Sequence, residues 1–166
     1  MERHPERRGV AQEIYDFVTA HADCFCRTQK LGHITGSAWL LNPAGDKALL
    51  TLHHNLQRWM QLGGHSDGDP NTLAVALREA TEESGIEGIV PVSPDIIDVD
   101  IHRIPDRPAK NEPAHWHYDI RFLMRAPHEH YRISAESDDL AWWSRADFAA
   151  RAAELDEAVR RLAAFM

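Results

Sequence analysis

Three glutamates within five residues are the most informative feature of this sequence. Glu79, Glu82 and Glu83 lie in the segment Thr72–Ser84, where the pattern of apolar residues predicts a helix. At about 100° per residue, the three carboxylates fall on one face of that helix. Carboxylates crowded in this way repel one another unless a cation lies among them, and hard oxygen ligands suit Mg²⁺ or Mn²⁺. The segment therefore predicts a divalent-metal site that could hold the phosphates of a substrate.

An acidic helix also has a simpler interpretation. Arg78 and Glu82 form an i, i+4 pair, and most acidic helix faces of this kind are only solvated and salt-bridged. The flanking residues oppose that interpretation, because Gly63 and Gly64 precede the helix and Gly85 ends it. The choice between a metal site and a solvated helix face therefore depends on the whole spacing, from the glycine pair to Gly85.

The spacing from Gly64 to Ile86 resembles the signature of the Nudix hydrolase family. That signature is a glycine, five residues, a glutamate, seven residues and then Arg-Glu-apolar-x-Glu-Glu-x-Gly-apolar. The matching residues are Gly64, Arg78, Glu79, Ala80, Glu82, Glu83, Gly85 and Ile86. The departure is Pro70, which stands where the family has its first glutamate, a residue that mainly braces the loop. Asp67 and Asp69 are candidates to replace it, and Asp69 and Pro70 also fit the N-cap and the first position of the helix.

The family resemblance implies a role for each charged residue of the signature. Glu79, Glu82 and Glu83 would bind the metal together with the carbonyl of Gly63, and Arg78 would orient the carboxylates. The reaction would be attack of water on a phosphorus atom, with the metal polarising the phosphate oxygens. Glu82 or Glu83 is the favoured general base. The alternative bases are carboxylates of a later loop: Glu136, Asp138 and Asp139.

Four of the eleven histidines are candidates for the same region: His33, His65, His115 and His117. His115 and His117 open a predicted strand, where alternation directs both imidazoles to one face. His65 directly follows the glycine pair. Imidazole is a common ligand of Mn, Fe, Co, Ni and Zn. We therefore expect either substrate contacts or a second site that holds a histidine-bound transition metal.

The same histidines give a local resemblance to the isopentenyl-diphosphate isomerases, a Nudix-like branch with a histidine-and-carboxylate metal site. Gly63 stands where that branch has a cysteine, His115 and His117 stand where it has glutamates, and the isomerases lack the complete hydrolase signature. We therefore expect a metal-dependent hydrolase that cleaves the phosphoanhydride bond of a nucleoside diphosphate-linked substrate. The alternatives are isomerase activity and a non-catalytic Nudix-like nucleotide-binding module.

The elements that must position these residues are predicted to form one domain over residues 1–166. An amphipathic N-terminal helix is expected at about 10–27 and a C-terminal helix at about 145–165. The strands expected between them are Gly36–Leu41, Ala48–Leu52, Ile96–Ile101, His117–Met124 and Leu140–Trp143. This order indicates an α/β (α+β) domain with a mixed sheet. The family resemblance, which extends over about 32–148, implies an α/β/α sandwich.

The composition of the chain restricts the classes of molecule that we expect it to bind. A formal net charge of −8 opposes a nucleic-acid polymer, because such a protein would show a basic patch. It allows an anionic small molecule, since bound dications can invert the local field. With Cys24 and Cys26 as the only cysteines and no apolar run of about 18 residues, we expect neither a disulfide framework nor a membrane span. We expect a cytoplasmic protein, and a homodimer is left open.

Overall fold

The computed structural model of the protein describes residues 5–54, 56–108, 112–134 and 137–166. Its helices are α1 (Arg8–Ala20), α2 (Thr72–Ser84), α3 (Arg145–Ala150) and α4 (Glu157–Leu162). Its strands are β1 (Gly32–Leu41), β2 (Lys47–His53), β3 (Arg58–Met60), β4 (Leu62–His65), β5 (Val90–Ile104), β6 (His115–Arg125) and β7 (Ser137–Ser144). None of the described helices has the length and apolar character needed to cross a bilayer.

The strands of the described part of the chain form one mixed sheet. Its main order is β3-β2-β1-β6-β5, with β4 paired to β1 and β7 paired to β2. β1 and β6 run parallel, so that His33 lies beside His117 and Thr35 lies beside Asp119. β4 pairs with β1 antiparallel and places His65 opposite Thr35. The predicted mixed sheet is confirmed, and its parallel pair joins two segments that are far apart in sequence.

Helices cover both faces of the sheet, because β1 sends apolar side chains to two cores. Leu40 belongs to the core that contains the buried residues of α1 and α2. Trp39 and Leu41 belong to the core that contains those of α3 and α4. At Gly36 a Cβ atom would lie 2.6 Å from the carbonyl oxygen of Thr72, so glycine lets α2 approach the sheet closely. This packing confirms the predicted sheet flanked by helices and fixes α2 next to β1 and β4.

The N-terminal helix is shorter than the predicted 10–27, because α1 ends at Ala20. His21 adopts an extended backbone, and its amide donates to the carbonyl of Phe17. Its Nδ1 lies 3.0 Å from the same oxygen. The chain then continues in turns, in which the amide of Cys24 donates to the carbonyl of His21. The apolar pattern of the sequence extends beyond Ala20 because Cys24 and Phe25, which lie outside the helix, still pack against the core.

The C-terminal helix is not the single element predicted at 145–165. α3 ends at Ala150, and α4 begins again at Glu157 after an extended residue, Leu155. The Asp156 carboxylate accepts a hydrogen bond from the amide of Val159 and so caps the second helix. A strong N-cap within the segment therefore divides it into two short helices.

The helix α2 has the predicted bounds, Thr72–Ser84, and the predicted terminal glycine, but its N-cap differs from the predicted one. Asn71 is the N-cap, since its side-chain oxygen accepts from the amide of Ala74 at 3.1 Å. Pro70 precedes the cap, and Asp69 accepts from the amide of Asn71 at 2.8 Å. Gly85 ends the helix in the left-handed conformation (φ 65°, ψ 18°) that favours glycine. The assignment of Asp69 as N-cap and Pro70 as first helical residue was wrong, because Asn71, two positions after Asp69, provides the cap.

Candidate active site

A cavity of about 1080 Å³ lies beside β4 and the C-terminal half of α2. It brings together both groups of residues that the sequence singled out. The predicted site residues that line it are His33, Gly63, His65, Arg78, Glu79, Glu82, Glu83, His115 and His117. The glutamates of α2 and the histidines of three strands therefore face one space.

Glu83 is the most buried of the three glutamates and is held by the glycine pair. Its side chain accepts a hydrogen bond of 3.0 Å from the amide of Gly63 through Oε2, and the residue is 8% exposed. Gly63 in turn packs against β1, where a Cβ atom would lie 2.3 Å from Oγ of Ser37. The absence of a side chain at this position therefore lets the backbone of β4 reach both β1 and the Glu83 carboxylate.

Glu79 packs directly on the second glycine. A Cβ atom on Gly64 would lie 2.5 Å from the Glu79 carboxyl group, and the Glu79 side chain is 13% exposed. Only glycine leaves room for the carboxylate in this position. Glu79 and Glu83 therefore converge on adjacent glycines, and their oxygens form a donor set that suits Mg²⁺ or Mn²⁺.

Arg78 connects the carboxylates to β4. Its Nη1 lies 2.9 Å from Oε1 of Glu79 and 3.5 Å from Oε2 of Glu82. Its Nη2 donates to the carbonyl of His65 at 2.8 Å. The Glu82 side chain is 60% exposed, so it faces water while Glu79 is held inside. The arginine therefore contacts two carboxylates of α2 and the backbone of β4.

The loop before α2 is braced without a glutamate at position 70. The Asp67 carboxylate forms an ion pair with the Arg27 guanidinium, in which Nη2 donates to Oδ2 at 2.8 Å. Hydrogen bonding from Arg27 lowers the pKa of Asp67. The amide of Gly68 donates to the carbonyl of Phe25 at 2.8 Å. These contacts tie the loop to the turns after α1, and Asp67 thus takes over a bracing contact.

The four histidine rings lie close together and line the same cavity as Glu79. The ring of His33 is centred 5.0 Å from that of His65 and 4.8 Å from those of His115 and His117. Burial, together with neighbouring positive charge, lowers the pKa of His33 to about 4 and that of His65 to about 3. Burial also holds the pKa of His117 far below its usual range. At neutral pH these three rings are therefore uncharged, and each has one unprotonated ring nitrogen.

Comparison with known proteins identifies the fold. No model of a protein family matches the sequence, and no curated protein is similar to it. A Nudix-family hydrolase from Clostridium perfringens has a similar structure, with a TM-score of 0.65 and 22% identity over 79% of this chain and 93% of that chain. The chain has the Nudix fold.

Two further solved structures with the Nudix fold are similar over most of their length. One is an Ap4A hydrolase from C. elegans, with a TM-score of 0.56 and 17% identity over 80% of this chain and 93% of that chain. The other is the NUDIX domain of Shewanella oneidensis NrtR in complex with ADP ribose, with a TM-score of 0.54 and 20% identity over 80% of this chain and 84% of that chain. The likeness therefore extends over about four fifths of this chain.

One buried carboxylate of this Nudix fold was not anticipated from the sequence. Asp119 lines the cavity and is 1% exposed. It accepts hydrogen bonds from Thr35, Ser37, Gln61 and Arg121 at 3.0, 2.7, 3.2 and 2.8 Å. Its partners lie on β1, on β6 and at the residue between β3 and β4. Because β1 and the β3–β4 connection are distant from β6 along the chain, no short sequence motif predicts these hydrogen bonds. The signal in the sequence was a carboxylate between Tyr118 and Ile120 in the middle of a predicted strand.

Of the later carboxylates considered as general bases, the two that the structure describes, Asp138 and Asp139, do not line the cavity. Asp138 and Asp139 are exposed on β7, and Glu136 lies outside the described residues. Asp138 accepts hydrogen bonds from the side chains of His54 and Gln57, which lower the pKa of Asp138 and so make it a weaker base. The position of these groups favours a glutamate of α2 as the base.

Proposed function

We propose that this protein is a Nudix-family hydrolase that uses Mg²⁺ or Mn²⁺ to cleave the phosphoanhydride bond of a nucleoside diphosphate-linked substrate. The observation that carries the proposal is the convergence of Glu79 and Glu83 on adjacent glycines, with Arg78 beside them in one cavity. A salt-bridged surface helix would not bury two carboxylates against a glycine pair. The arrangement is therefore better explained as a metal-binding site than as a solvated helix face.

The glutamates differ in exposure, and this difference supports a division of labour. Glu79 and Glu83 would hold the metal, because their carboxylates are sheltered and fixed by Arg78 and by the amide of Gly63. A bound divalent ion polarises phosphate oxygens and lowers the pKa of water. Glu82 would accept the proton of the attacking water, since its carboxylate is open to solvent and lines the cavity.

The charge of the cavity supports an anionic substrate in a protein whose net charge is −8. Besides Arg78, the residues Arg27, Lys30 and Arg107 line it. These cations can contact phosphate oxygens that the metal leaves free. Two of the similar structures, an Ap4A hydrolase and a domain in complex with ADP ribose, also support a nucleotide-type substrate.

The test is release of nucleotide or phosphate from a panel of nucleoside diphosphate derivatives, with Mg²⁺, with Mn²⁺ and with a chelator. Glu82→Gln should lower turnover by orders of magnitude without unfolding the protein, because the side chain is 60% exposed and the substitution keeps its shape. Glu87→Gln is the matched control, since Glu87 is exposed just after α2 and does not line the cavity.

Near wild-type turnover of Glu82→Gln would contradict the proposed mechanism. Nucleotide binding without turnover would favour the non-catalytic module, and isomerisation of isopentenyl diphosphate would favour the isomerase. No contact in the described residues favours either alternative.

A further inference from the structure

The histidine cluster, which we define as His33, His65, His115 and His117, has the geometry of an ion-binding site. One nitrogen from each of three of its members, His33, His65 and His117, lies within 4.8 Å of the other two. The fourth ring, that of His115, is centred 4.8 Å from His33 and 5.1 Å from His117. The rings come from β1, β4 and β6, so the cluster exists only in the folded chain.

His33 is buried, and its ring nitrogens are poorly satisfied. The residue is 3% exposed, and among the described residues neither ring nitrogen makes a hydrogen bond of normal geometry, since the contact with the Gln29 backbone is a weak one. Nε2 of His65 is likewise buried and unpartnered there. Burying such groups is unfavourable unless something binds them, and native proteins rarely leave them unsatisfied. These nitrogens therefore point to a ligand.

His115 shows which kind of ligand fits. Its Nδ1 lies 2.8 Å from the carbonyl oxygen of Pro113, so Nδ1 carries the proton and donates it. Nε2 then has a lone pair and accepts a hydrogen bond of 3.2 Å from Nε2–H of His117, a proton that a bound metal would displace. A histidine that binds metal characteristically donates its other N–H to a carbonyl in this way. His115 is thus already in the tautomer that a metal requires.

We propose that the histidine cluster binds one first-row transition-metal dication at a centre separate from the glutamates of α2. Metal–nitrogen distances of about 2.1 Å place neighbouring ligand nitrogens of a tetrahedral ion about 3.4 Å apart. The 3.2 Å separation between His115 and His117 already meets this spacing. The widest pair, within 4.8 Å, must close by about 1.4 Å (4.8 − 3.4), which side-chain rotation can supply.

The donor set distinguishes this centre from the one on α2. Uncharged imidazoles prefer Zn²⁺, Co²⁺ or Ni²⁺, whereas carboxylates prefer Mg²⁺ or Mn²⁺. A carboxylate lies beside the cluster, with Oε1 of Glu112 at 3.8 Å from Nε2 of His115, where it can offset part of the ion's charge. The inference does not rest on the proposed hydrolysis, because it uses none of the glutamates of α2.

The experiment is metal retention by the whole protein. The protein is loaded with Zn²⁺ or Co²⁺ in the presence of excess Mg²⁺, dialysed against metal-free buffer, and assayed by elemental analysis and by the visible absorption of Co²⁺. The wild type should keep about one equivalent, and His65→Ala and His117→Ala should each weaken binding on the order of tenfold or more. Glu79→Gln should keep the ion, which separates this centre from the glutamate centre.

The control is a double substitution of His128 and His130 to alanine, an exposed pair with ring centres 5.9 Å apart, which should leave metal retention unchanged. Thermal unfolding with and without Zn²⁺ gives a second measurement, because an ion that binds the folded state raises Tm. Zn²⁺ should raise the Tm of the wild type and the control, and should raise that of the cluster variants much less.

Retention of less than about a tenth of an equivalent by the wild type would overturn the inference. So would equal retention by the wild type and by both cluster variants. If the wild type retains Zn²⁺ but hydrolyses no substrate of the panel, the result counts against the proposed function alone. If it hydrolyses a substrate but does not retain Zn²⁺, the result counts against the histidine centre alone.

Discussion

Substitution of Gly64 by alanine tests the contact that brings Glu79 into the site. A Cβ atom at this position would lie 2.5 Å from both the carboxyl carbon and Oε2 of Glu79, whereas ordinary contact begins near 3.4 Å. The carboxylate must therefore move by about 0.9 Å (3.4 − 2.5). Gly64 is not among the glycines with positive φ, so alanine meets no backbone penalty there. The perturbation is a displacement of one carboxylate.

The expected loss is larger in turnover than in stability. Misplacing a catalytic group by about 1 Å can lower the rate on the order of 100-fold. Overpacking should lower the free energy of unfolding by only about 1 kcal/mol, the low end of the usual range, since the contacted atoms end a flexible side chain. That corresponds to a decrease of about 2–4 °C in Tm for a chain of this size. Steady-state turnover of the best nucleotide substrate with Mg²⁺, and thermal unfolding, measure the two effects.

Two comparisons make the result specific. Gly9→Ala is the matched control, because nothing lies within 4 Å of a Cβ atom at Gly9, and its turnover should equal that of the wild type. In the background Glu79→Ala the contact is gone, so Gly64→Ala should then lower Tm little further. Turnover of Gly64→Ala within about twofold of wild type would refute the reasoning, because the carboxylate would then not need its observed position.

Two further predictions concern the loop before α2 and the buried charges of the sheet. Pro70→Glu should leave Tm nearly unchanged. Asn71→Ala should lower the free energy of unfolding by about 1 kcal/mol, because Asn71 provides the N-cap. A larger decrease in Tm for Pro70→Glu than for Asn71→Ala would contradict this assignment. Burial disfavours ionisation of Asp100, but hydrogen bonding from His102 and the charge of Arg121 outweigh it and hold the pKa of Asp100 well below its usual range. Its stabilising contribution is therefore complete above about pH 4 and is lost as the pH falls further. In urea unfolding, Asp100→Asn should destabilise the protein at pH 7 and less so at pH 3; an equal effect at both values would contradict the shift.

The helix of the glutamates shows how much of this site a sequence can predict. Its bounds, Thr72–Ser84, and its left-handed terminal residue, Gly85, follow from a periodic apolar pattern and from the conformational freedom of glycine. Both signals are local, so they need no knowledge of the rest of the chain. The ends of the other helices were predicted less well. His21 and Asp156 end or restart a helix through single hydrogen bonds that an apolar pattern does not contain.

By itself, the sequence determined that Glu79, Glu82 and Glu83 share one helix face, because the spacing of residues on a helix follows from its pitch, and it predicted that they bind a metal. It also indicated that His115 and His117 face the same way, since strands alternate. Only the tertiary structure decided that His33 lies beside His117, because a parallel pairing joins segments that are distant along the chain. It also decided that the Asp119 carboxylate meets donors from other elements of the fold. Strand register over such a distance depends on the packing of both sheet faces together, and no short segment of the sequence contains that information.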